Sequence, residues 1–545
     1  MRRIILLILF ISFSLSKTFA QCTETTTPRV LLVGDSWAWF MLNESTINYE
    51  FKKWGHSNYS FVSNATLSVN GAQTDDVIKT ACEDEIRNQL QQNPTIDYVH
   101  LSIGGNDFLG GWNVNFTPGQ TDTLAAEVFG RLDSIVRFIQ SCKPGIKILW
   151  SGYCYTNFKQ VITDFIAPSS HPFYSTWSGM GFPDFIQINT LQNYFSEKID
   201  SFCTTHPGVY YVHANSLMQY VYGQTTAMDV TPMGTYAAGT ASIPLGFPDY
   251  PSPEQAMRDY ALTKDCFHLS TDGYRYLIGY HTQKFYQKAL MDDLYLLSDS
   301  NLHTGTVTSQ GNTADSLTLG ESSGEQFATV LSFNTTAMAD TTLRKASLFI
   351  RRKRISGTNP LTASLEVKVK SGNFGTTADV EAADFNDSGD ANGLPCQFGS
   401  NAADGDWIRL DLPREILMHI NHNNPTQFVI TAPGFTGGKV DFYNSSDPDF
   451  APVLNLAYGD LPSAIQDVPA VQKFTIFPNP TNGTVNVAND VPNITHIEVC
   501  NIMGAMVASP KLQNGSFDIS NLAAGTYILN VYTKTGKTSQ LLVKE

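Results

Sequence analysis

The chain is predicted to be an α/β protein built on a parallel sheet, followed by two all-β regions. Three observations predict this. Apolar strands alternate with amphipathic helices from Val30 to about Leu294. Helical periodicity then stops at about Leu302. The remainder runs in short alternating stretches broken by Gly, Asn, Asp and Pro. Near-continuous apolar strands between helices call for a parallel sheet covered on both faces. Short alternating strands between turn residues call for a β-sandwich.

The first twenty residues combine Arg2-Arg3, an apolar run from Ile4 to Leu15 and the small-residue end Thr18-Phe19-Ala20. That is the layout of an export signal cleaved after Ala20. Cys22 opens a lipoprotein alternative, which Gln21 directly before it fits poorly. No later segment reaches about 18 consecutive apolar residues, the length a membrane helix needs. Five strands are expected next: Arg29–Gly34, Tyr59–Ser63, Tyr98–Ile103, Ile146–Trp150 and Val209–Val212. Between and after them, helical periodicity covers Thr74–Gln92, Thr123–Ser141, Phe185–Cys203 and Thr271–Met291. Lys345–Arg351, Ala363–Lys370, Trp407–Leu412 and Thr426–Thr431 read as strands of the second region. A smaller all-β unit follows Gly459-Asp460-Leu461-Pro462. The expected domains are therefore residues 1–20, 29–294, 302–460 and 463–545.

The net charge of −15 disfavours a polyanionic partner, since nucleic acid and anionic lipid would be repelled. An exported chain meets oxidising conditions, so its eight cysteines can pair. Cys142 and Cys203 each end a helix at the bottom of the sheet and form one feasible pair. Cys154 and Cys266 at the top form another, whereas Cys142 and Cys154 lie too far apart along one extended strand. Cys396 and Cys500 are isolated and expected to be free, buried thiols.

Ligands of an open parallel sheet bind beyond the carboxyl ends of its strands. Gly34-Asp35-Ser36-Trp37 follows the first strand, Gly71-Ala72-Gln73-Thr74 follows the second, and Gly104-Gly105-Asn106-Asp107 follows the third. Asp265-Cys266-Phe267-His268 stands just ahead of the last helix. A serine hydroxyl needs an imidazole to take its proton, and the imidazole needs a carboxylate to hold its tautomer. Asp265 and His268 are three residues apart, so a single turn can bring both to one side. Each motif alone is a common turn; the four in order are specific.

These blocks resemble those of the SGNH/GDSL hydrolase family, over roughly residues 29–290. The resemblance implies a flavodoxin-like three-layer fold and a serine esterase or lipase activity. Matched position by position, Ser36 is the nucleophile, His268 the base and Asp265 the acid. The oxyanion hole is matched by the Ser36 N–H, the Gly71 N–H and the Asn106 side-chain amide. Trp37 departs from the family's Leu at a variable position, and the second block lacks a second glycine, leaving Asn70 as a neighbour in the site. Asp35 and Asp107 are read as loop-bonding residues, and His56, His100, His171, His206 and His213 as packing or surface residues. No His/Cys cluster has zinc-ligand spacing, and no cofactor is expected.

Two insertions, about Thr156–Pro183 and Ser216–Thr263, are rich in aromatics: Phe165, Phe173, Tyr174, Trp177, Phe182, Phe247 and Tyr250. They either overhang the site and shape its pocket or pack on themselves. Residues 314–460 weakly resemble the DNRLRE-like β-sandwich modules, some of which bind carbohydrate. The carriers are Thr329–Phe333, Lys345–Phe349 and Val440–Ser445 running into Pro452-Val453-Leu454. Asp384–Asp390 is oxygen-rich but lacks the glutamate of a calcium loop, which makes it an acidic turn. The end of the chain resembles the C-terminal sorting domain of type IX secretion. That reading rests on Phe477–Gly483, Asn501-Ile502-Met503-Gly504, Leu522–Ile528 and Lys537–Glu545. It implies export through periplasm and outer membrane and a partner in the secretion machinery. Secretion and the sugar-binding resemblance favour a polysaccharide acetyl ester as substrate, and the aromatic insertions leave a lipid or other acyl ester open. A surface adhesin that has lost activity is the competing class.

Overall fold

The computed structural model describes residues 22, 24–225, 234–299, 303–459, 475–487, 494–501, 506–513, 515–533 and 536–545. The expected export signal, Asp460–Pro462 of the linker and Ile502–Gly504 lie outside them.

Five strands, β1 (Thr27–Gly34), β2 (Tyr59–Val62), β3 (Tyr98–Ser102), β4 (Lys147–Ser151) and β5 (Val209–Val212), form one sheet. Its order is β2-β1-β3-β4-β5 and every pairing is parallel. That is the flavodoxin-like order, whose switch point lies between β1 and β3. The helices are α1 (Ser36–Asn43), α2 (Thr46–Lys53), α3 (Thr74–Val77), α4 (Thr80–Gln92), α5 (Gly105–Gly111) and α6 (Pro118–Cys142). They continue with α7 (Phe158–Thr163), α8 (Tyr174–Gly179), α9 (Phe185–Thr205), α10 (Leu217–Tyr222) and α11 (Thr271–His281). Alternate strand residues serve opposite faces. Leu31 and Val33 pack with Ile86 of α4, Leu132 of α6 and Phe195 of α9, while Val30 and Leu32 pack with Met41, Phe51 and Leu277. Both faces of the sheet are covered, which is why its strands read as near-continuous apolar runs.

Two expected helices are interrupted. The run Thr74–Gln92 divides into α3 and α4 because Lys79 is extended between them, while Asp76 caps the Gln73 N–H. The run Thr271–Met291 contains a π-helical turn at Thr282–Tyr286, where the Thr282 hydroxyl donates to the Ile278 carbonyl.

Beside that turn, the buried rings of His100 and His281 lie 5.7 Å apart. His100 Nδ1 meets the Tyr286 hydroxyl at 3.0 Å, but neither nitrogen of His281 has a partner among the described residues. Burial holds His281 well below the ordinary histidine range and His100 at about 3. The unfolded chain takes these protons near pH 6.5. Stability from such groups is therefore present above about pH 6.5 and is lost as the pH falls below it. His281→Leu removes one of them without breaking a hydrogen bond. The variant is expected to melt above wild type at pH 7, because an unpaired buried polar group costs about 1–3 kcal/mol. The gap should widen at pH 5, and melting curves showing the same gap at both pH values would refute this account.

From Gly305 to Tyr458 the strands are antiparallel. The long strand Leu343–Gly357 joins two sets of strands. Its first half pairs with Trp407–Asp411 and its second half with Gly438–Phe442, across a bulge at Arg352/Arg354. Leu294, placed at the end of the α/β region by its sequence pattern, begins a strand, Leu294–Leu297, paired with Val453–Leu456. The acidic turn is present as such. Asp387 accepts from the Gly389 and Gly375 N–H groups, and Asp390 accepts from the Ser371 N–H.

The cysteines depart from expectation. Cys22 and Cys396 form a disulfide, so Cys396 is not free, and a sulfur so bonded carries no lipid thioether. Neither Cys142–Cys203 nor Cys154–Cys266 is formed; all four are free thiols. Cys500 is buried and free, as expected. Spacing could not show the Cys22–Cys396 pairing, because it depends on the antiparallel region packing against the start of the α/β region. Trp54 stacks on Trp407 at 5.8 Å, and Phe349 lies beneath Gly55. The buried Arg409 guanidinium bonds the Gly55 carbonyl, Asn58 Oδ1 and the carboxylates of Glu24 and Asp411.

A second compact unit begins at residue 460. Its described strands form a three-stranded and a four-stranded antiparallel sheet. Its core contains Val485, Ile497, Val499, Phe517, Leu529 and Leu542.

Candidate active site

The site stands at the switch point, beyond the carboxyl ends of β1 and β3. Gly34 ends β1 so close to β3 that a Cβ would lie 1.9 Å from the Ser102 carbonyl oxygen. The turn into α1 is capped by Asp35, whose Oδ1 accepts from the Trp37 N–H at 2.9 Å. Ser36 is thus the first residue of a helix, where backbone N–H groups have no intrahelical acceptor.

Asp265 and His268 reach the same place through a bulged strand. They lie on β7 (Thr263–Leu269), the second strand of a hairpin with β6 (Met257–Tyr260). Met257 pairs with Leu269 whereas Asp259 pairs with Lys264, so residues 265–268 bulge out of the ladder. The bulge is held by Asp265 itself, whose Oδ1 accepts the N–H groups of Phe267 and His268, each at 2.9 Å. That leaves Oδ2 at 2.8 Å from His268 Nδ1, and His268 Nε2 at 2.7 Å from Ser36 Oγ. All three side chains are buried. An imidazole so placed can take the serine proton while the carboxylate fixes its tautomer and balances the imidazolium.

Asn106 lines the same cavity as Ser36, and its Nδ2 donates to the Ala72 carbonyl at 2.9 Å. A side-chain amide has two N–H groups, so one remains for a ligand. Gly71 has a φ of +81° and open space where a Cβ would stand, and it does not line that cavity. Asn70 lines the same separate surface depression as Gly71. Asp107 ties the loops together from beneath, accepting from the Thr74 N–H and hydroxyl and from Arg131.

Tyr153, not singled out by sequence, is a third tie. Its hydroxyl donates to Asp35 Oδ2 at 2.5 Å and accepts from the Gly105 N–H at 3.0 Å. Burial pushes Asp35 up to about 7 and Tyr153 well above the ordinary phenol range, so the phenol keeps its proton and donates. The one available signal was position, since Tyr153 lies just past the carboxyl end of β4.

The cavity wall bears on the two roles left open for the insertions: of their described residues, only Thr156, at the start of the first, lines it. Ile188, Leu191, Gln192 and Phe195 of α9 form it, with Phe108 and Leu109 of α5, Thr156 and Phe267. None of the seven insertion aromatics singled out by sequence lines it. Trp177 packs on Phe182 and bonds the Pro183 carbonyl, and Tyr236 packs on Phe247 and Tyr250, while Phe173 packs on Tyr260 and on the wall residue Phe267. Among the described residues, no group of three or more His, Cys, Asp or Glu side chains is placed to hold a metal ion.

Comparison with known proteins adds the following. Residues 475–545 match the family of secretion system C-terminal sorting domains. With that sorting domain the chain is a secreted or cell-surface protein. No curated protein matches it. Among solved structures, a carbohydrate esterase family 3 protein from Talaromyces cellulolyticus is similar at 13% identity and a TM-score of 0.28. The similarity covers 48% of this chain and 98% of that one. A GDSL-like lipase from Bacteroides thetaiotaomicron is similar at 14% identity and a TM-score of 0.26, over 48% of this chain and 89% of that one. An acylhydrolase from Bacteroides fragilis aligns at 15% identity and a TM-score of 0.26, over 49% and 92%.

Proposed function

We propose that the protein is an exported serine carboxylester hydrolase working through an acyl-Ser36 intermediate. The observation that carries this is the unbroken chain from Asp265 Oδ2 through His268 to Ser36 Oγ, with contacts of 2.8 and 2.7 Å. Ser36 Oγ attacks the ester carbonyl carbon as its proton passes to His268 Nε2. The oxyanion is held by the Ser36 N–H and the free Asn106 amide N–H, each such donor worth about a hundredfold or more in rate; Gly71, matched by resemblance as a third donor, lines a separate depression and is given no part in this step. His268 then returns the proton to the leaving oxygen and the alcohol departs. Water, deprotonated by His268, attacks acyl-Ser36, releasing the carboxylic acid and restoring the hydroxyl.

The domains at residues 29–294, 302–460 and 463–545 are read as the hydrolase, a spacer or sugar-binding module and the type IX export signal, the last crossing periplasm and outer membrane. Acid quenching during turnover of p-nitrophenyl acetate should leave a peptide containing Ser36 heavier by one acetyl group. Turnover with no acylated Ser36 rejects the proposed intermediate.

A further inference from the structure

Building on the esterase reading, we propose that the cavity beside Ser36 is an acyl pocket for short apolar chains. The cavity is small, about 60 Å³.

Chemistry narrows the occupant further. Phe108, Leu109, Ile188, Leu191, Phe195 and Phe267 wall the cavity away from the serine. Gln192 spends its amide on the Cys154 carbonyl and the Thr156 N–H. Only the Thr156 hydroxyl, buried without a partner among the described residues, is uncommitted in that part of the wall. A sugar ring would leave most of its hydroxyls unpaired there, whereas an alkyl chain leaves none.

The proton path separates acyl from alcohol. A carbonyl carbon bonded to Ser36 has three other arms in the tetrahedral state. Its oxygen turns to the Asn106 amide, and the leaving oxygen must face His268 Nε2, which returns its proton. His268 does not line the cavity, while Ser36 and Asn106 do. The remaining arm, the acyl chain, is the one directed into it.

The test holds the alcohol constant as p-nitrophenol and varies the acyl chain from acetate through butyrate, hexanoate and decanoate. Each methylene that enters an apolar wall should raise kcat/KM about fourfold, so butyrate should exceed acetate by about 15-fold. The rise should continue to hexanoate and reverse at decanoate. Leu191→Trp fills the pocket from α9 and should collapse the ratio of hexanoate to acetate toward one, with cooperative melting showing that the variant is folded. A profile that peaks at acetate, climbs without reversal to decanoate, or keeps its shape in folded Leu191→Trp overturns the pocket. If that activity is absent from Ser36→Ala, the esterase reading stands while the pocket fails. No turnover of any ester by the wild type defeats the esterase reading itself.

Discussion

Ser36→Ala is expected to lower kcat for p-nitrophenyl esters by about a millionfold while leaving the fold intact. In a serine–histidine–carboxylate unit the members act together, so loss of the nucleophile costs about as much as loss of all three. What survives is the effect of binding and oxyanion donors, roughly 10³- to 10⁴-fold over water. The variant should fold because the Ser36 side chain does not cap α1; Asp35 does. Its side-chain hydroxyl bonds His268 Nε2. The measurement is a steady-state assay paired with a melting curve. A folded variant that keeps more than about one-hundredth of wild-type turnover would contradict the role given to Ser36.

The next largest effect is expected from Asp265→Asn, a drop in kcat of about 10⁴-fold. The structure supplies the reason. Asp265 Oδ1 receives two backbone N–H groups, from Phe267 and His268, and an asparagine keeps the bulge only by leaving its oxygen in that position. Its NH₂ group then faces His268 Nδ1 at the place where Oδ2 stood, 2.8 Å away. An N–H donor there forces Nδ1 to accept, which moves the ring proton to Nε2. A protonated Nε2 cannot take the proton of Ser36. The same substitution also removes the charge that balances the imidazolium. Stability should change far less than activity, because both backbone bonds persist. A variant within tenfold of wild type would show that Asp265 does not set the tautomer of His268.

How much of this could be read from the chain differs by feature, and for physical reasons. The parallel sheet was legible because strands buried on both faces are apolar at nearly every buried position, as Val30–Val33 of β1 and Tyr98, Val99 and Leu101 of β3 are. The order of the site motifs was legible because strand ends at a switch point converge whatever the side chains nearby. The means by which Asp265 meets His268 was not. A spacing of three suits a helical turn equally well, and the bulge arises only from the unequal register of β6 and β7.

The local sequence thus determined where the proposed site residues stand: Ser36 after β1, Asn106 after β3, and Asp265 with His268 before α11. Their positions follow from short-range rules of periodicity and turn formation, which act within a few residues; their proposed roles come from the motif resemblance. Only the tertiary structure decided the pocket wall, the Tyr153 tie and the Cys22–Cys396 bond. Ile188, Leu191 and Phe195 mark a buried face of α9, but burial has no address in sequence. Which core that face joins depends on how helices cross the sheet, and it placed α9, rather than the aromatic insertions, beside Ser36. Tyr153 and Asp35 are separated by 118 residues, and Cys22 and Cys396 by 374. Contacts at such distances along the chain come from the packing of whole elements, and no local pattern encodes them.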